Sequence, residues 1–203
     1  MQREGVNYNK TAAPTPAAAS VKTKLAVANQ MGFTIYHLDV KQAYIKAKLD
    51  CKIVMKLPGG CGELSGKCLN LEKTLYGLKQ SGLLWNDVLV EKLVTVHGME
   101  HCMTDPCAFR LIREGKLVLI LTVYLDDMAV AGTGVEVDKL LVTLNTDFTT
   151  NNLGELSFFT GWSIIQESEN GELNSTKRRL SRPSQDVLTC PRLPVLPPLP
   201  VRT

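Results

Sequence analysis

Several sequence features are missing from this chain, and each absence excludes a class of protein. No apolar run reaches the roughly 18 residues that a membrane-spanning helix needs. No secretory signal peptide is visible at the N-terminus, so we expect an intracellular protein of the cytoplasm, the nucleus or both. The six cysteines form no C-x-x-C pair, which excludes a zinc knuckle and predicts free thiols in a reducing compartment.

The remaining composition is typical of a folded α+β domain. The chain has 203 residues, of which 44% are hydrophobic and 21% charged, and its formal net charge is only +3. Lysines nevertheless crowd one segment. Such a cluster can follow a nucleic-acid backbone by releasing condensed counterions, or it can simply be the solvated face of a strand. The clustered residues are Lys41, Lys46, Lys48, Lys52 and Lys56.

The most informative stretch is LVLILTVYLDDMAVAG at residues 117–132, where Asp126 and Asp127 separate two apolar runs. The runs are rich in Val, Ile, Leu and Thr, which predicts two β-strands joined at the acids. An ionised carboxylate between buried strands is costly unless a cation or partner stabilises it. Successive strand side chains point to opposite faces, so both acids can serve one site only if they occupy a tight turn.

Another acid of the same character ends a second predicted strand. Residues 33–38 form a short apolar run that leads into Asp39, 87 residues upstream of Asp126. The two acids can meet only if their strands are neighbours in one sheet. Carboxylates that converge from separate strands suit Mg²⁺, and two such ions about 3.5–4 Å apart can stabilise an in-line phosphoryl transfer. The alternative is that each aspartate is an ordinary strand-end or turn residue.

The segment Tyr124–Asp127, YLDD, resembles the YxDD box of reverse transcriptases. Four more segments, in the same order along the chain, resemble motifs of the polymerases of copia-type (pseudoviral LTR) retrotransposons, and residues 4–14 echo the start of that domain. The five motifs together make the resemblance specific, whereas YLDD alone would be weak. The other four are HLDVKQAY at 37–44, LYGLKQ at 75–80 with Trp85 after it, DPCAF at 105–109 and LGELSFFTG at 153–161.

The resemblance implies an RNA-directed DNA polymerase domain at residues 1–168. Its implied fold is α+β of the polymerase fingers-palm type, with an antiparallel palm sheet backed by helices and no thumb. The implied partners are an RNA or DNA template-primer, dNTP and the other parts of a retrotransposon polyprotein. Residues 169–203 are expected to be a degenerate, Pro-rich tail without regular structure, because the prolines of its last part block helix formation.

The resemblance also assigns roles to individual positions. Asp39, Asp126 and Asp127 would be the catalytic acids, and together with the backbone carbonyl of Val40 they would hold two Mg²⁺ ions, with Mn²⁺ as a substitute. The aromatic ring of Tyr44 would lie under the incoming sugar and exclude a 2′-hydroxyl. The other implied contacts are Lys22 and Gln80 with the nucleotide, and Gly77, Phe158 and Gly161 with primer or template.

The chain departs from the family pattern at two places that should carry arginine. Ala17 and Leu83 stand there, and Lys22 holds the next basic position, where it cannot make the bidentate phosphate contact of arginine. Gly82 replaces a proline of the same motif. These changes affect triphosphate and template handling and leave the acids intact. A second hypothesis therefore stays open, in which this is a decayed, non-catalytic protein derived from such an element, with residual nucleic-acid binding.

The spacing of apolar residues, together with capping and turn residues, predicts the helices and strands that would carry these residues. Ser20 should cap a helix that runs to about Met31, and Glu114-Gly115 should be the turn of a hairpin. Two further helices and one late strand follow from apolar spacing. The predicted ranges are helices at 83–96 and 137–148 and strands at 33–39, 52–57, 107–112, 117–125 and 158–166.

Overall fold

The computed structural model describes residues 2–168, 176–181 and 187–189, with side chains as far as Ile164. These residues form a mixed α+β structure whose strand pairs are antiparallel. Its three α-helices are α1 Ala18–Gln30, α2 Ser81–Thr95 and α3 Gly134–Asp147. Its strands are β1 Ile35–Val40, β2 Lys48–Lys56, β3 Cys68–Lys73, β4 Glu100–Cys102, β5 Asp105–Arg113, β6 Lys116–Tyr124, β7 Asp127–Gly132, β8 Thr150–Glu155, β9 Phe158–Phe159, β10 Trp162–Ser168, β11 Thr176–Ser181 and β12 Val187–Thr189.

A six-stranded sheet in the order β4-β5-β6-β7-β1-β8 forms the centre of the fold. The hairpin β6–β7 and the strand β1 are inner strands of this sheet, so each pairs with a neighbour along both edges. Two smaller assemblies flank it, a ribbon of β2 with β3 and a sheet in the order β12-β11-β10-β9. Among the described residues, none of the helices has both the length and the apolar character required to cross a membrane.

The two faces of the central sheet bury different helices because side chains alternate along each strand. Leu38 and Val40 of β1 point into a core that contains α2 and α3, including the fully buried Trp85 and Leu144. Ile35, whose side chain points to the other face of the sheet, packs in a second core with residues of α1. The face of β1 that carries Ile35 therefore also carries His37 and Asp39. This second core includes Val21, Leu25, Ala28, Ile120, Leu156, Phe159 and Trp162.

Most of the predicted elements are present, with shifted ends. The prediction of a hairpin at Glu114-Gly115 is confirmed, since β5 and β6 pair across these two residues and both have positive φ, 50° and 73°. The predicted late strand at 158–166 is wrong as a single element, because Thr160-Gly161 turns the chain between β9 and β10. Positive φ at these two residues, 47° and 83°, allows that turn.

The segment assigned as a tail, 169–203, lies largely outside the described residues. Its described parts, β11 and β12, are strands, so the expectation of no regular structure is wrong for these nine residues. The boundary at residue 168 and the character of the remaining tail stay predictions.

The start of helix α1 differs from the prediction in an informative way. Ala17, not Ser20, is the N-cap residue, and it has no side chain that can cap. The buried carboxylate of Asp105, at the start of β5, accepts the Ala17 backbone N–H at 3.2 Å and also bonds the Ser20 side chain. It accepts the N–H of Cys107 at 2.9 Å as well. A residue 88 positions along the chain thus supplies the cap that the helix lacks locally.

We expect Asp105→Ala to lower the free energy of unfolding by about 1–3 kcal/mol, because it leaves buried donors without an acceptor. Burial alone would raise the pKa of Asp105, but its hydrogen bonds and the charge of Lys24 hold that pKa below its ordinary value of 3.8. Its contribution is therefore complete above pH 3.8 and is lost as the pH falls through the lower folded-state pKa. Urea unfolding at several pH values tests this. Asp87→Ala, at an exposed position of α2, is the control, and an equal effect of the two variants would contradict the capping role.

Candidate active site

The turn between β6 and β7 consists of two residues, Leu125 and Asp126. Two-residue hairpin loops require positive φ, which glycine or asparagine usually supplies. Here Leu125 adopts a φ of 58°, in a region that a branched side chain rarely occupies. Such a conformation persists only where the surroundings impose it, and it occurs most often at functional sites. A tight turn is thus present at the acidic pair, but only Asp126 lies in it, and Asp127 is the first residue of β7.

Two hydrogen bonds from other elements hold this turn. The indole Nε1–H of Trp85, on α2, donates to the carbonyl of Leu125 at 3.0 Å. The backbone N–H of Val40, at the end of β1, donates to the carbonyl of Asp126 at 3.1 Å. Trp85 is fully buried and its ring meets that of Phe148 edge to face. In the sequence Trp85 stands out only as the residue that follows LYGLKQ, although a buried indole N–H generally needs an acceptor.

The strand that ends in acid does neighbour the acidic hairpin. β1 pairs with β7 in a register that sets Asp39 directly opposite Asp127. Directly opposite residues on antiparallel strands point to the same face, with Cβ atoms about 4.5–5.5 Å apart. Asp126 follows in the turn, held against β1 through Val40. The expectation that Asp39 and the Asp126–Asp127 pair come from adjacent strands is confirmed.

The charges of these acids act on one another. Burial raises the pKa of Asp126 above its ordinary value of 3.8, and the charges of Asp127 and Asp39 raise it further. Asp126 also affects its neighbours: burial first, and then its charge, raise the pKa values of Tyr44 and Tyr76. The carboxylate of Asp39 contributes to the shift at Tyr76. Three acids and two phenols therefore share one electrostatic environment.

Two tyrosines stand beside the acids. Tyr44 begins a short 3₁₀ turn a few residues after the end of β1, and its ring centroid lies 4.5 Å from that of Tyr76. The Thr74 hydroxyl donates to the Tyr44 carbonyl, which ties the turn to the segment after β3. Tyr76 is 58% exposed and was not among the predicted site residues. The position of Tyr76 inside LYGLKQ was the available signal, but nothing local indicated a partner in the HLDVKQAY segment.

The two side chains predicted to contact the nucleotide have partners within the protein. The Lys22 ammonium lies over the ring of Trp162, 4.5 Å from its centroid. Gln80 is only 1% exposed, and its amide donates to the carbonyl of Asn7 at 2.8 Å and accepts from the amide of Gln2 at 2.8 Å. A nucleotide contact by Gln80 would require these bonds to be exchanged. Both roles stay predictions.

The residues predicted to contact primer or template lie in two other regions. Gly77, with a φ of 96°, lines a cleft of about 360 Å³ between the N-terminal segment and the β2–β3 ribbon. Phe158 is 52% exposed on β9, and Gly161 is in the turn that follows. These two belong to the same hairpin, whereas Gly77 does not. Their roles also stay predictions.

The donors at the hairpin match the chemistry of a hard divalent cation. Asp39, Asp126 and Asp127 offer carboxylate oxygens, the ligands that Mg²⁺ prefers. A cation would also offset the burial and the neighbouring charges of Asp127 and Asp39 that raise the pKa of Asp126. As the side chains stand, no three His, Cys, Asp or Glu residues in the described part of the chain are grouped as a complete metal site. The acids therefore fit a metal in their chemistry, and their carboxylates would have to turn to enclose it.

We expect Asp126→Asn to stabilise the metal-free protein at neutral pH. Because the folded-state pKa of Asp126 is raised, its ionisation opposes folding, and the free energy of unfolding falls as the pH rises through that pKa. The stabilisation should vanish below pH 3.8, where the carboxyl is protonated in both states. Thermal unfolding in the presence of a chelator measures it, with Asp87→Asn on α2 as the control. An Asp126→Asn variant no more stable than the wild type at neutral pH would contradict the prediction.

The chain is similar to proteins of one known family. The family model described as "Reverse transcriptase (RNA-dependent DNA polymerase)" matches residues 1–181. The chain is 28% identical, over 85% of its length, to the "Retrovirus-related Pol polyprotein from transposon TNT 1-94" of Nicotiana tabacum. It is 29% identical, over 79% of its length, to the corresponding polyprotein from transposon RE1 of Arabidopsis thaliana.

A yeast relative extends this similarity beyond plants. The chain is 30% identical, over 67% of its length, to the "Truncated transposon Ty1-A Gag-Pol polyprotein" of Saccharomyces cerevisiae. The matched region spans 13% of the tobacco protein and 11% of the Arabidopsis RE1 and yeast proteins. The similarity thus concerns one domain of each polyprotein.

Proposed function

Because this chain belongs to the reverse transcriptase (RNA-dependent DNA polymerase) family, we propose that it catalyses RNA-directed DNA synthesis, extending a primer 3′-hydroxyl with dNTP. The observation that carries the proposal is the register that sets Asp39 opposite Asp127, with Asp126 in the turn between β6 and β7. In this proposal the central sheet with α2 and α3 is the palm. The β2–β3 ribbon and the segments that pack against it are the fingers.

In the proposed mechanism Asp39, Asp126 and the backbone carbonyl of Val40 would hold the metal ions. Two Mg²⁺ ions, or Mn²⁺ in their place, would supply a deprotonated primer hydroxyl and charge stabilisation at the transferred phosphoryl group. Asp127 supports the site electrostatically. The Trp85 and Val40 hydrogen bonds to the turn keep Asp126 in place before substrate binds, which limits reorganisation during the reaction.

Exposed lysines support template-primer binding by the β2–β3 ribbon. Lys48, Lys52 and Lys56 of β2 and Lys73 of β3 are all exposed, and Lys48 pairs in register with Lys73. A phosphate backbone that follows such a row would release condensed counterions, so its affinity should fall steeply with salt. This surface would serve equally well in a protein that binds nucleic acid without catalysis.

Primer extension on an RNA template tests the polymerase proposal. We expect the purified chain to extend a DNA primer in Mg²⁺ and to lose this activity in Asp39→Asn and in Asp126→Asn, because each removes a metal-binding carboxylate. Asp87→Asn, at an exposed position of α2, should extend as the wild type does. Fluorescence anisotropy with the same template-primer measures binding separately. Binding without extension at high dNTP and Mg²⁺ would favour the alternative, a decayed protein that only binds nucleic acid.

Tyr44 is the proposed determinant of sugar selection. Its ring is near Asp126, is half-buried and packs against Tyr76, so its position is restricted. We expect Tyr44→Val to admit ribonucleotides while dNTP incorporation changes little, because the smaller side chain leaves room for a 2′-hydroxyl. Incorporation of rNTP and dNTP is compared in the same extension assay. Tyr76→Phe, which retains the ring contact, is the control, and unchanged selectivity in Tyr44→Val would make Tyr44 an ordinary packing residue.

The missing arginines should weaken triphosphate binding. Ala17 is exposed at the start of α1 and Leu83 is in the first turn of α2, so neither position supplies a cation. A charge-assisted hydrogen bond contributes about 1.5–3 kcal/mol, and about 1.4 kcal/mol is a tenfold change in affinity. The absence of both arginines should therefore raise the KM for dNTP by roughly a hundredfold or more.

We expect the double variant Ala17→Arg, Leu83→Arg to recover much of this affinity, and Lys22→Arg a smaller part. Steady-state extension as a function of dNTP concentration measures KM and kcat separately, and a fall in KM is the expected change. Ala19→Arg, at an exposed position in the first turn of α1, is the control for a nonspecific gain of charge. A double variant that stays inert at saturating dNTP would show that the defect lies elsewhere.

A further inference from the structure

One side chain at the hairpin has no part in the mechanism above. His37 lies on β1 two residues before Asp39, and its Nε2 is 2.8 Å from Oδ1 of Asp127. The pairing register explains this contact, because His37 is opposite Ala129 and therefore diagonal to Asp127 on the same face. A neutral imidazole with its proton on Nε2 is sufficient to donate this hydrogen bond.

The contact lies beside two carboxylates that face each other across neighbouring strands. Asp39 and Asp127 face each other directly across the β1–β7 pair, and like charges in that arrangement destabilise a sheet. Their directly opposite positions would also allow both carboxylates to bind a single cation. A cation held by Asp39 and Asp127 would leave Asp126 out, although Asp126 lies in the turn that Trp85 and Val40 fix.

We propose that His37 is a positioning residue that holds the Asp127 carboxylate by a hydrogen bond and so reserves Asp39 and Asp126 for the metal ions. This inference rests on the proposed function, and it adds a division of roles among the three acids. With Oδ1 occupied, Asp127 can act on the site through its charge but cannot readily join Asp39 around a cation. The side chain of His37 is 22% exposed and that of Asp127 is 40% exposed, so the donor is the more shielded partner of the bond.

The proposal predicts opposite changes in metal affinity and in activity when the hydrogen bond is removed. In His37→Leu the released Asp127 can pair with Asp39 around a cation, so the Kd for Mn²⁺ should fall by about tenfold, the equivalent of one hydrogen bond to a charged group. Primer extension should fall in the same variant because that cation is misplaced. A general loss of structure would instead weaken both.

His37→Gln is the conservative variant, because its amide Nε2 can donate from nearly the same place as the ring Nε2. It should restore both the wild-type Kd and the wild-type extension rate. His101→Leu is the matched control, since that ring stacks on Phe109 at the β4 edge, three strands away from β7. Titration of free Mn²⁺, followed by electron paramagnetic resonance without nucleotide, gives the Kd for each variant.

A second measurement does not require a substitution at His37. Long-range ¹⁵N–¹H spectra report the protonated ring nitrogen, and we expect the Nε2–H form of His37 in the wild type and a shift of that signal in Asp127→Leu. An unchanged signal would overturn the proposal, and so would a Kd in His37→Leu that equals the wild-type value or that His37→Gln fails to restore.

Failure of the proposed function would give a different pattern. Suppose that the wild type binds Mn²⁺ and that Asp126→Asn does not weaken this binding. The proposed polymerase site is then wrong, and so is the assignment of Asp39 and Asp126 as the metal ligands, even if the His37 signal shifts as expected. If Asp126→Asn weakens binding and His37→Leu leaves it unchanged, only the role of His37 is wrong. Absence of Mn²⁺ binding by the wild type would contradict both the proposed function and the role of His37.

Discussion

The antiparallel pairing of β1 with β7 in one register is the constraint on which the site depends. It sets Asp39 opposite Asp127 and places the Val40 N–H where it meets the carbonyl of Asp126. A slip of one residue would turn Asp39 to the face of α2 and α3, where Leu38 and Val40 are now buried. The cost of that exchange, apolar side chains exposed and a carboxylate buried, is what keeps the register unique. The hydrophobic core thus determines the positions of the acids.

Long-range hydrogen bonds fix the parts that strand pairing leaves free. The hairpin turn needs a backbone conformation that Leu125 does not favour, and the Trp85 indole holds it from α2. Helix α1 has no capping side chain of its own, and Asp105 supplies one from β5. In each case a residue stabilises the backbone of a distant segment: Trp85, which follows LYGLKQ, holds the YLDD turn, and Asp105, in DPCAF, caps the start of α1. This gives a structural reason for the tryptophan after LYGLKQ to accompany the acidic hairpin in one chain.

Local pattern was sufficient to predict much of the fold. The apolar runs around Asp126 and Asp127 and the turn at Glu114-Gly115 indicated the β5–β6–β7 meander, and apolar spacing located α2 and α3 to within three residues at each end. The cap of α1 was mispredicted because its acceptor is 88 residues away, and no local signal identifies such a partner. Similarly, the contact between Tyr44 and Tyr76 depends on how a 3₁₀ turn and a distant loop meet in space, which periodicity does not encode.

The two ends of strand β1 have different structural roles. On the face that it shares with α1, Ile35 is buried in the second core, while Asp39, four residues and about 13 Å further along, lies beside the acidic hairpin. The alternate residues of the same six-residue strand anchor the other core. A substitution that shifts β1 at one end would therefore also shift the acid at the other. Damage to this short strand should accordingly impair folding and the acidic cluster together, not one without the other.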